Sequence, residues 1–273
     1  QTWEELGHSW TELSRLEQWK VAWFYGPGKL WHTVTVVQIR SLVLSLGFMG
    51  MTILLGLVRW RMVLKLHGLN LSFGRTVEIS LVAHFFNSFL LGSTGGDLLK
   101  AYYAARETQH KKTEAVMTVF IDRVVGLFAM LVFACLMIAA NYRLVGSQRS
   151  LHALGWFVFV MLLGCGTVVG LSFWGGVTRW WPQARHWMRR LPKGESIERA
   201  LDAARLLGRK PSLFLRLLLL SMVLNVFCVL QVLALADGLN LHVSPKAMFA
   251  IVPVIVCISA LPISPSGLGV REN

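Results

Sequence analysis

Charged residues are scarce in this chain. Asp, Glu, Lys and Arg together make up 15% of its 273 residues, whereas an average soluble domain has about 25%. Apolar residues make up 55%, and the mean hydropathy is +0.56. This balance is not typical of a soluble globular domain. It predicts a protein that lies largely within a lipid bilayer.

Cysteine is also rare. The chain has four, all within apolar segments: Cys135, Cys165, Cys228 and Cys257. No two of them have the Cys-x-x-Cys spacing of a zinc site, and buried cysteines usually behave as small apolar side chains. The pattern gives no support to zinc binding, a disulfide framework or thiol chemistry. We therefore expect neither a metal nor another cofactor.

Acidic residues are scarcer than basic ones. There are 14 of them against 27 Lys and Arg, which gives a formal net charge of +13. Such an excess can indicate nucleic-acid binding, but here most basic residues fall in short loops between apolar segments. Attraction to anionic lipid headgroups explains that placement better. We expect membrane lipids with anionic headgroups as partners, and no nucleic acid.

Four apolar stretches have about the length that a helix needs to cross a membrane, which is roughly 20 residues for a hydrocarbon core about 30 Å thick. They are residues 41–58, 115–140, 153–174 and 217–236. Residues 153–174 contain no charge at all. The predicted fold class is therefore all-α: a polytopic helical membrane protein.

The chain divides into an amphipathic segment and a transmembrane domain. In residues 1–40, apolar side chains recur at helical spacing with glutamates between them, which predicts an interfacial helix at the outer membrane surface. A solvated linker helix is the alternative. Residues 41–273 form the transmembrane domain, which includes a basic loop at 175–211. Because the chain stops directly after a glycine-rich break, we expect this domain to be incomplete at its C-terminus.

Basic loops predict the orientation, because Lys and Arg concentrate on the cytoplasmic side. Residues 180–211 contain eight basic side chains against three acidic ones, so this loop should be cytoplasmic. The connection at 141–151 is then outside, and residues 59–75 and 100–112 are inside. Because the segments 59–75 and 100–112 are both inside, the apolar stretch 77–91 between them cannot cross the membrane a single time.

Two glycine- or proline-rich breaks interrupt short apolar segments in the two halves. The first, NSFLLGSTGGDLLK at 87–100, contains Gly95 and Gly96, and the second is LPISPSGLGVRE at 261–272. Irregular backbone is tolerated at membrane depth only where protein or a water-filled cavity supplies hydrogen-bond partners. Corresponding breaks in two halves are typical of a transporter's central site. The second break includes Pro262, Pro265, Gly267 and Gly269.

These breaks predict two re-entrant hairpins. The first enters and leaves from the cytoplasm around residues 77–91, and the second, at 246–271, enters from the opposite face. Two opposed hairpins are what an inverted repeat produces. The alternative is that one or both segments simply span the membrane.

Asp122 and Arg123 are charged residues inside an otherwise apolar helix. A charge at the bilayer centre costs roughly 2.5 to 3.5 kcal/mol on insertion scales, so such a residue normally faces the bundle interior and a partner. Adjacent residues point about 100° apart on a helix, so each should have its own partner. The two residues indicate a polar route through the membrane, and an ion pair that only fixes helix packing is the alternative.

The first break leads into a helix whose N-terminal N–H groups and dipole suit an anionic headgroup. Asp97 is the predicted N-cap of that helix. Lys100 and Arg106 would add cationic donors, and Arg271 would supply another cation from the second half. No residue is assigned a catalytic or metal-binding role. The predicted substrate-binding residues are Asn87, Asp97, Lys100, Arg106, Asp122, Arg123, Arg271 and Glu272.

Three motifs in this order resemble a known family. Residues 87–106, the box DRVVGL at 122–127 and the ending at 261–272 are similar to the transmembrane region of lysylphosphatidylglycerol synthases. This flippase-like domain also occurs as a stand-alone membrane protein, and the resemblance covers about residues 41–272. The family often has proline where Leu91 or Gly92 stands and glutamate where Asp97 stands. Those departures indicate a subgroup.

The resemblance implies a multi-pass protein of the bacterial inner membrane that is linked to lipid translocation. It does not extend to the soluble domain that makes the aminoacylated lipid in the synthases. The function predicted is a lipid flippase or transporter for a phospholipid or a polyprenyl-phosphate-type lipid. A membrane-embedded glycosyltransferase-like enzyme and a non-catalytic lipid-binding scaffold are the alternatives, so enzymatic activity stays an open question here.

Overall fold

The structure is a computed structural model that describes residues 23–24, 26–28, 31–32, 35–89, 95–108, 111–141, 149–173, 205–241 and 243–259. None of these residues is in a β-strand, and the predicted all-α class is confirmed. The described residues form seven helices of 13 residues or more. They are α1 (Ile39–Leu66), α2 (Phe73–Phe89), α3 (Gly95–Glu107), α4 (Lys112–Ala140), α5 (Arg149–Phe173), α6 (Pro211–Gly238) and α7 (Pro245–Ser259).

Three of these helices, α1, α4 and α6, are long and apolar enough to cross a membrane. They have 28, 29 and 28 residues, which corresponds to about 42 Å of helix at 1.5 Å per residue. Large apolar side chains stay exposed along them, such as Leu44 and Leu219. An aqueous surface disfavours such side chains, whereas hydrocarbon does not, and the polytopic membrane architecture is thereby confirmed.

Helix α4 lies at the centre of the bundle, where it contacts α1, α3, α5, α6 and α7. Its buried positions include the small residues Ala129 and Ala134, neither of which is exposed at all. Small side chains let neighbouring helices approach closely in a membrane bundle. The central position of α4 brings the charged pair Asp122 and Arg123 within reach of the surrounding helices.

Helix α6 runs antiparallel to α1 along most of its length. At one end the N–H of Gln38 donates to the carbonyl oxygen of Gly238 at 3.1 Å. Further along, Nη1 of Arg59 donates to Oγ of Ser221 at 3.0 Å. The start of α6, which follows the basic loop, therefore lies on the same side of the bundle as the end of α1.

Helices α2 and α3 form an antiparallel hairpin. At its open end, Arg75 donates two hydrogen bonds to Oε1 of Glu107, at 2.9 and 2.7 Å. At its closed end, the N–H of Gly96 donates to Oδ1 of Asn87 at 2.8 Å. The helices have 17 and 13 residues, or about 26 and 20 Å, so neither spans a core about 30 Å thick at right angles. This geometry has the shape of the first predicted hairpin, and its entry into the bilayer stays a prediction.

The first apolar stretch that the sequence predicts to span the membrane, residues 41–58, ends earlier than the helix that contains it. The sequence places its end at Val58, because Arg59 follows, but α1 continues to Leu66. The reason is that Arg59 has partners inside the bundle, and that Trp60, Val63 and Leu64 in the next turn are buried. Arg59 is therefore part of the helix interior and not of a loop.

Several predictions concern residues outside the described part of the chain. They are the second break with Pro262, Pro265, Gly267 and Gly269, residues 1–22 of the amphipathic segment, and positions 175–204 of the basic loop. Helix α7, which precedes the second break, is described and contains Pro253. The opposed second hairpin, the inverted repeat and the domain boundaries stay predictions.

Candidate functional site

A cavity of about 200 Å³ lies beside the closed end of the α2–α3 hairpin. Five helices contribute to its wall: α1, α2, α3, α4 and α6. Nine of its fourteen described lining residues are polar or charged. The lining residues are Thr52, Gly56, Leu57, Arg59, Ser80, Ala83, His84, Asn87, Asp97, Lys100, Val119, Asp122, Arg123 and Leu224.

The cavity lies about a third of the way along α4. Asp122 is the eleventh of its 29 residues, so it is about 15 Å from the start of that helix and about 27 Å from its end. The charged lining is therefore away from both ends of α4, inside the helix bundle.

Arg59 and Asp122 form a deeply buried ion pair in this wall. Nε of Arg59 donates to Oδ1 of Asp122 at 2.8 Å, and Nη2 donates to Oδ2 at 3.3 Å. Only 12% and 9% of the two side chains are exposed. Two parallel hydrogen bonds of this kind fix the orientation of both groups. The pair joins α1 to α4.

Gly126 makes room for this pair. A Cβ at this position of α4 would lie 2.9 Å from Nη1, 3.0 Å from Nη2 and 3.2 Å from Cζ of Arg59. Only a residue without a side chain lets the guanidinium lie this close to the α4 backbone. Gly126 stands in the same box, DRVVGL, as Asp122, so one segment supplies both the carboxylate and the space for its partner.

Lys100 projects from α3 into the same cluster. Its Nζ lies 4.2 Å from the centroid of the Trp60 ring and 3.8 Å from Oδ2 of Asp122. The Trp60 ring is itself held in place, because its Nε1 donates to Oγ1 of Thr118 at 3.3 Å. The π-face of an indole attracts a cation, and this ring supports a charge whose side chain is only 12% exposed.

Arg123 has a different partner, as its angular offset from Asp122 predicts. Its Nε lies 3.4 Å from Oδ2 of Asp97 on α3. This pair is more open than that of Arg59, with 35% of the Arg123 side chain and 25% of the Asp97 side chain exposed. Charge pairs therefore connect α4 both to α1 and to the hairpin.

The predicted N-cap role of Asp97 is wrong. Asp97 lies in the first turn of α3, which begins at Gly95, and its carboxylate pairs with Arg123. Asn87 instead satisfies a free N–H of this turn, that of Gly96. A Cβ on Gly96 would overlap the carbonyl oxygen of Ala83 and lie 2.6 Å from Oδ1 of Asn87. Gly96 is therefore what lets α3 start so close to α2.

The charges of the lining do not balance. Among the lining residues that the structure describes, Arg59, Lys100 and Arg123 carry three positive charges and Asp97 and Asp122 two negative ones. With neutral His84, their formal sum is 3 − 2 = +1. The hydroxyl of Ser80 also lines the cavity, is buried, and has no hydrogen-bond partner among the described residues. A buried donor without a partner and a surplus positive charge are features of a site for an anionic group.

The structure brings five of the eight predicted site residues together in this lining: Asn87, Asp97, Lys100, Asp122 and Arg123. Arg106 is not among them, because it lies in the last turn of α3 with an exposed side chain. Arg271 and Glu272 lie outside the described residues. Binding of a substrate by any of these residues stays a prediction.

Sequence reasoning missed Arg59, Ser80 and Ser221. The signal for Arg59 was present, because the apolar residues Trp60, Val63 and Leu64 follow it at helical spacing. That pattern indicates a helix that continues past the charge. Ser80 and Ser221 carry no such signal, since serine is common in membrane helices as a packing residue.

The fold and the charged lining together define a class of protein: a multi-pass α-helical membrane protein with ion pairs inside its bundle. The chain belongs to the family described as the lysylphosphatidylglycerol synthase TM region, whose model matches residues 18–273. The resemblance seen in the three motifs is thereby confirmed. A role related to membrane lipids is consistent with this membership.

One relative and the solved structures were also compared with the chain. The UPF0104 membrane protein PH1989 of Pyrococcus horikoshii is 26% identical over 149 residues, which cover 54% of this chain and 42% of that protein. The alignment thus spans less than half of that relative's length. No solved structure matches the chain.

Proposed function

We propose that the protein is a lipid flippase or lipid transporter of the cell (inner) membrane that handles a phosphate-bearing lipid. The observation that carries this proposal is the cavity beside α4, about 15 Å from the start of that helix, whose described charged residues sum to +1. Such a site is costly to bury in a bilayer and is retained where a polar group must pass. Family membership supports a connection with lipids.

The proposed mechanism is capture of an anionic headgroup at the closed end of the α2–α3 hairpin, followed by its exposure to the other leaflet. The more open pair, Arg123 with Asp97, is the contact that the headgroup would loosen, because its side chains are the more exposed ones. The acyl chains would stay in the bilayer, next to the apolar outer surfaces of the helices.

The alternative of a membrane-embedded transferase has less support. Such an enzyme needs a general base, and the two acids of the lining, Asp97 and Asp122, are each paired with an arginine. A lipid-binding scaffold differs from a flippase only in that it does not transport lipid, so the measurement of leaflet exchange decides between the two.

The test is leaflet exchange in liposomes that contain the purified full-length protein. Fluorescent phosphatidylglycerol and phosphatidylcholine are placed in both leaflets, and the outer label is quenched chemically at timed intervals. We expect exchange of phosphatidylglycerol above that of empty vesicles. The change Arg123→Gln should slow it about tenfold or more, because a charge-assisted contact to the phosphate is lost.

The matched control is Lys65→Gln, which removes an exposed cation from the last turn of α1, outside the cavity. It should leave exchange unchanged. Exchange no faster than in empty vesicles, from folded protein and with a proton gradient or membrane potential applied, would contradict the proposal. Turnover of a labelled lipid-linked sugar would then favour the transferase, and neither activity would favour the scaffold.

A further inference from the structure

Lys100 carries the surplus charge of the cavity. The guanidinium of Arg59 is matched to Asp122 by two hydrogen bonds, and Arg123 is paired with Asp97. The contact of Lys100 with Asp122 is long, at 3.8 Å, and uses Oδ2, which already accepts from Arg59. The Trp60 ring also supports this ammonium, at 4.2 Å from its centroid, but no carboxylate in the described lining is matched to Lys100 alone. A buried ammonium without a carboxylate of its own is a donor for an added anion.

Ser80 supplies a second donor in the same cavity. Its side chain is only 3% exposed, and its hydroxyl has no hydrogen-bond partner among the residues that the structure describes. Serines in helices often bond back to a carbonyl of the preceding turn, and Ser221 does so, with Leu217 at 2.8 Å. In the structure the hydroxyl of Ser80 is not used in this way.

The charge and the size of the cavity restrict what it can hold. A surplus of one positive charge is neutralised by one negative charge, which is what a phosphodiester carries. A phosphomonoester carries about −1.5 to −2 at pH 7, so it would leave negative charge uncompensated in a buried site. The volume, about 200 Å³, is below the range of about 300 to 1,000 Å³ for drug-sized ligands, and suits a phosphate with its nearest substituents.

We propose, resting on the lipid-transport function above, that the cavity binds the singly charged phosphodiester of a phospholipid, with Nζ of Lys100 and Oγ of Ser80 as donors to its oxygens. The substrate class is thereby narrowed from phosphate-bearing lipids in general to diacyl phospholipids with one negative charge. Polyprenyl phosphates, which are phosphomonoesters, are the disfavoured class.

The experiment measures equilibrium binding of radiolabelled phosphatidylglycerol to the purified full chain in detergent micelles. Phosphatidylglycerol should bind about tenfold more tightly than a polyprenyl phosphate, since one uncompensated buried charge separates them. Lys100→Gln should weaken binding about tenfold and Ser80→Ala about fivefold, in line with a charged and a neutral hydrogen bond. Equal binding of the two lipids by the unaltered chain would overturn the proposal.

Matched controls separate these effects from folding. Lys65→Gln removes an exposed cation and Ser45→Ala a buried hydroxyl, both from α1 and outside the cavity lining. Neither should change binding. Ser80→Ala adds no bulk or charge, so a folded Ser80→Ala variant with unchanged affinity would contradict the role of Ser80 even if Lys100→Gln failed to fold.

A change in the formal charge of the lining gives the sharpest test. Asp97→Asn keeps the shape of a side chain in the lining but raises the formal charge from +1 to +2. The preference for phosphatidylglycerol over polyprenyl phosphate should then narrow at least fivefold, because a second negative charge is now compensated. An unchanged ratio would contradict the charge-matching argument.

Two further arms separate this inference from the proposed function. Glycerophosphoglycerol has the same phosphodiester without acyl chains, and competition by it at concentrations equal to the lipid would assign the site to a free phosphodiester and overturn the lipid class. In liposomes, equal exchange of both lipid classes would overturn the inference and leave transport standing. Selective binding without exchange of any lipid would uphold the inference and overturn the flippase.

Discussion

Arg59 and Asp122 join α1 to α4 through hydrogen bonds of 2.8 and 3.3 Å, across 63 residues of sequence. Each side chain alone would carry the free-energy cost of a charge buried in the bundle. This cost is offset only when both partners are present. The third nitrogen of the Arg59 guanidinium is used as well, because Nη1 donates to Oγ of Ser221 on α6. The guanidinium therefore holds three helices together.

Removing either member of this pair should destabilise the bundle. We expect Asp122→Asn to lower the free energy of unfolding by about 3 to 5 kcal/mol, because it leaves a buried guanidinium without its counter-charge. The double variant Arg59→Gln/Asp122→Asn should lose less than the sum of the two single changes. Thermal unfolding of the purified protein in detergent measures this. Arg40→Gln, an exposed arginine of α1, is the control, and additive losses would contradict the coupling.

Alanine at Gly126 should disturb the same pair without removing a charge. The new Cβ would lie 2.9 Å from Nη1 of Arg59, and the guanidinium cannot move away without losing its two bonds to Asp122. We expect a loss of about 1 to 3 kcal/mol, as for other overpacked sites. Gly164→Ala is the matched control, since nothing lies within 4 Å of a Cβ there. Equal unfolding temperatures for the two variants would show that the space at Gly126 is not needed.

Alanine at Gly96 should separate the two helices of the hairpin at their closed end. Its Cβ would overlap the backbone oxygen of Ala83, which cannot rotate away as a side chain can. The bond from the Gly96 N–H to Asn87 would be lost as well. We expect a lower unfolding temperature and weaker binding of phosphatidylglycerol. Gly74→Ala on α2, where a Cβ meets nothing within 4 Å, should change neither, and a Gly96→Ala protein equal to that control would refute the argument.

The open end of the α2–α3 hairpin should be accessible from the cytoplasm, at the start of α2 as well as beyond the end of α3. Single cysteines at Lys65, Arg75 and Lys112 are introduced after replacement of the four native cysteines. An impermeant maleimide should label them only after the cells are permeabilised, whereas Leu241→Cys, beyond the far end of α6, should be labelled in intact cells. If Arg75→Cys and Lys112→Cys were labelled from opposite sides, the hairpin segment would span the membrane.

Much of the helical framework could be predicted from the sequence. The apolar runs at 115–140 and 217–236 lie within α4 and α6, and α5 covers the run at 153–174 as far as Phe173. These predictions succeed because membrane helices satisfy all their backbone hydrogen bonds locally. The length and apolarity of a segment are therefore enough to predict such a helix. Asp122 and Arg123 could be selected for the same reason, since a charge in such a run needs a special environment.

The predictions that failed concern partners that are distant in sequence. Arg59 was interpreted as the boundary of a span, and Asp97 as a helix cap, because both interpretations use only neighbouring residues. The actual partner of Arg59 is 63 residues away, and that of Asp97 is on another helix. The apolar residues after Arg59 indicate that the helix continues past it, but no local pattern identifies the partner of either charge.

The sequence by itself determined which segments are membrane helices, which residues carry charge inside them, and to which family the motifs point. Only the tertiary structure decided how those charges pair, that Lys100 and Ser80 line one cavity, and that the surplus charge there is +1. The physical reason is that helix formation in a membrane depends on near neighbours. The compensation of a buried charge depends on which helices pack together, as α1, α3 and α4 do around Asp122.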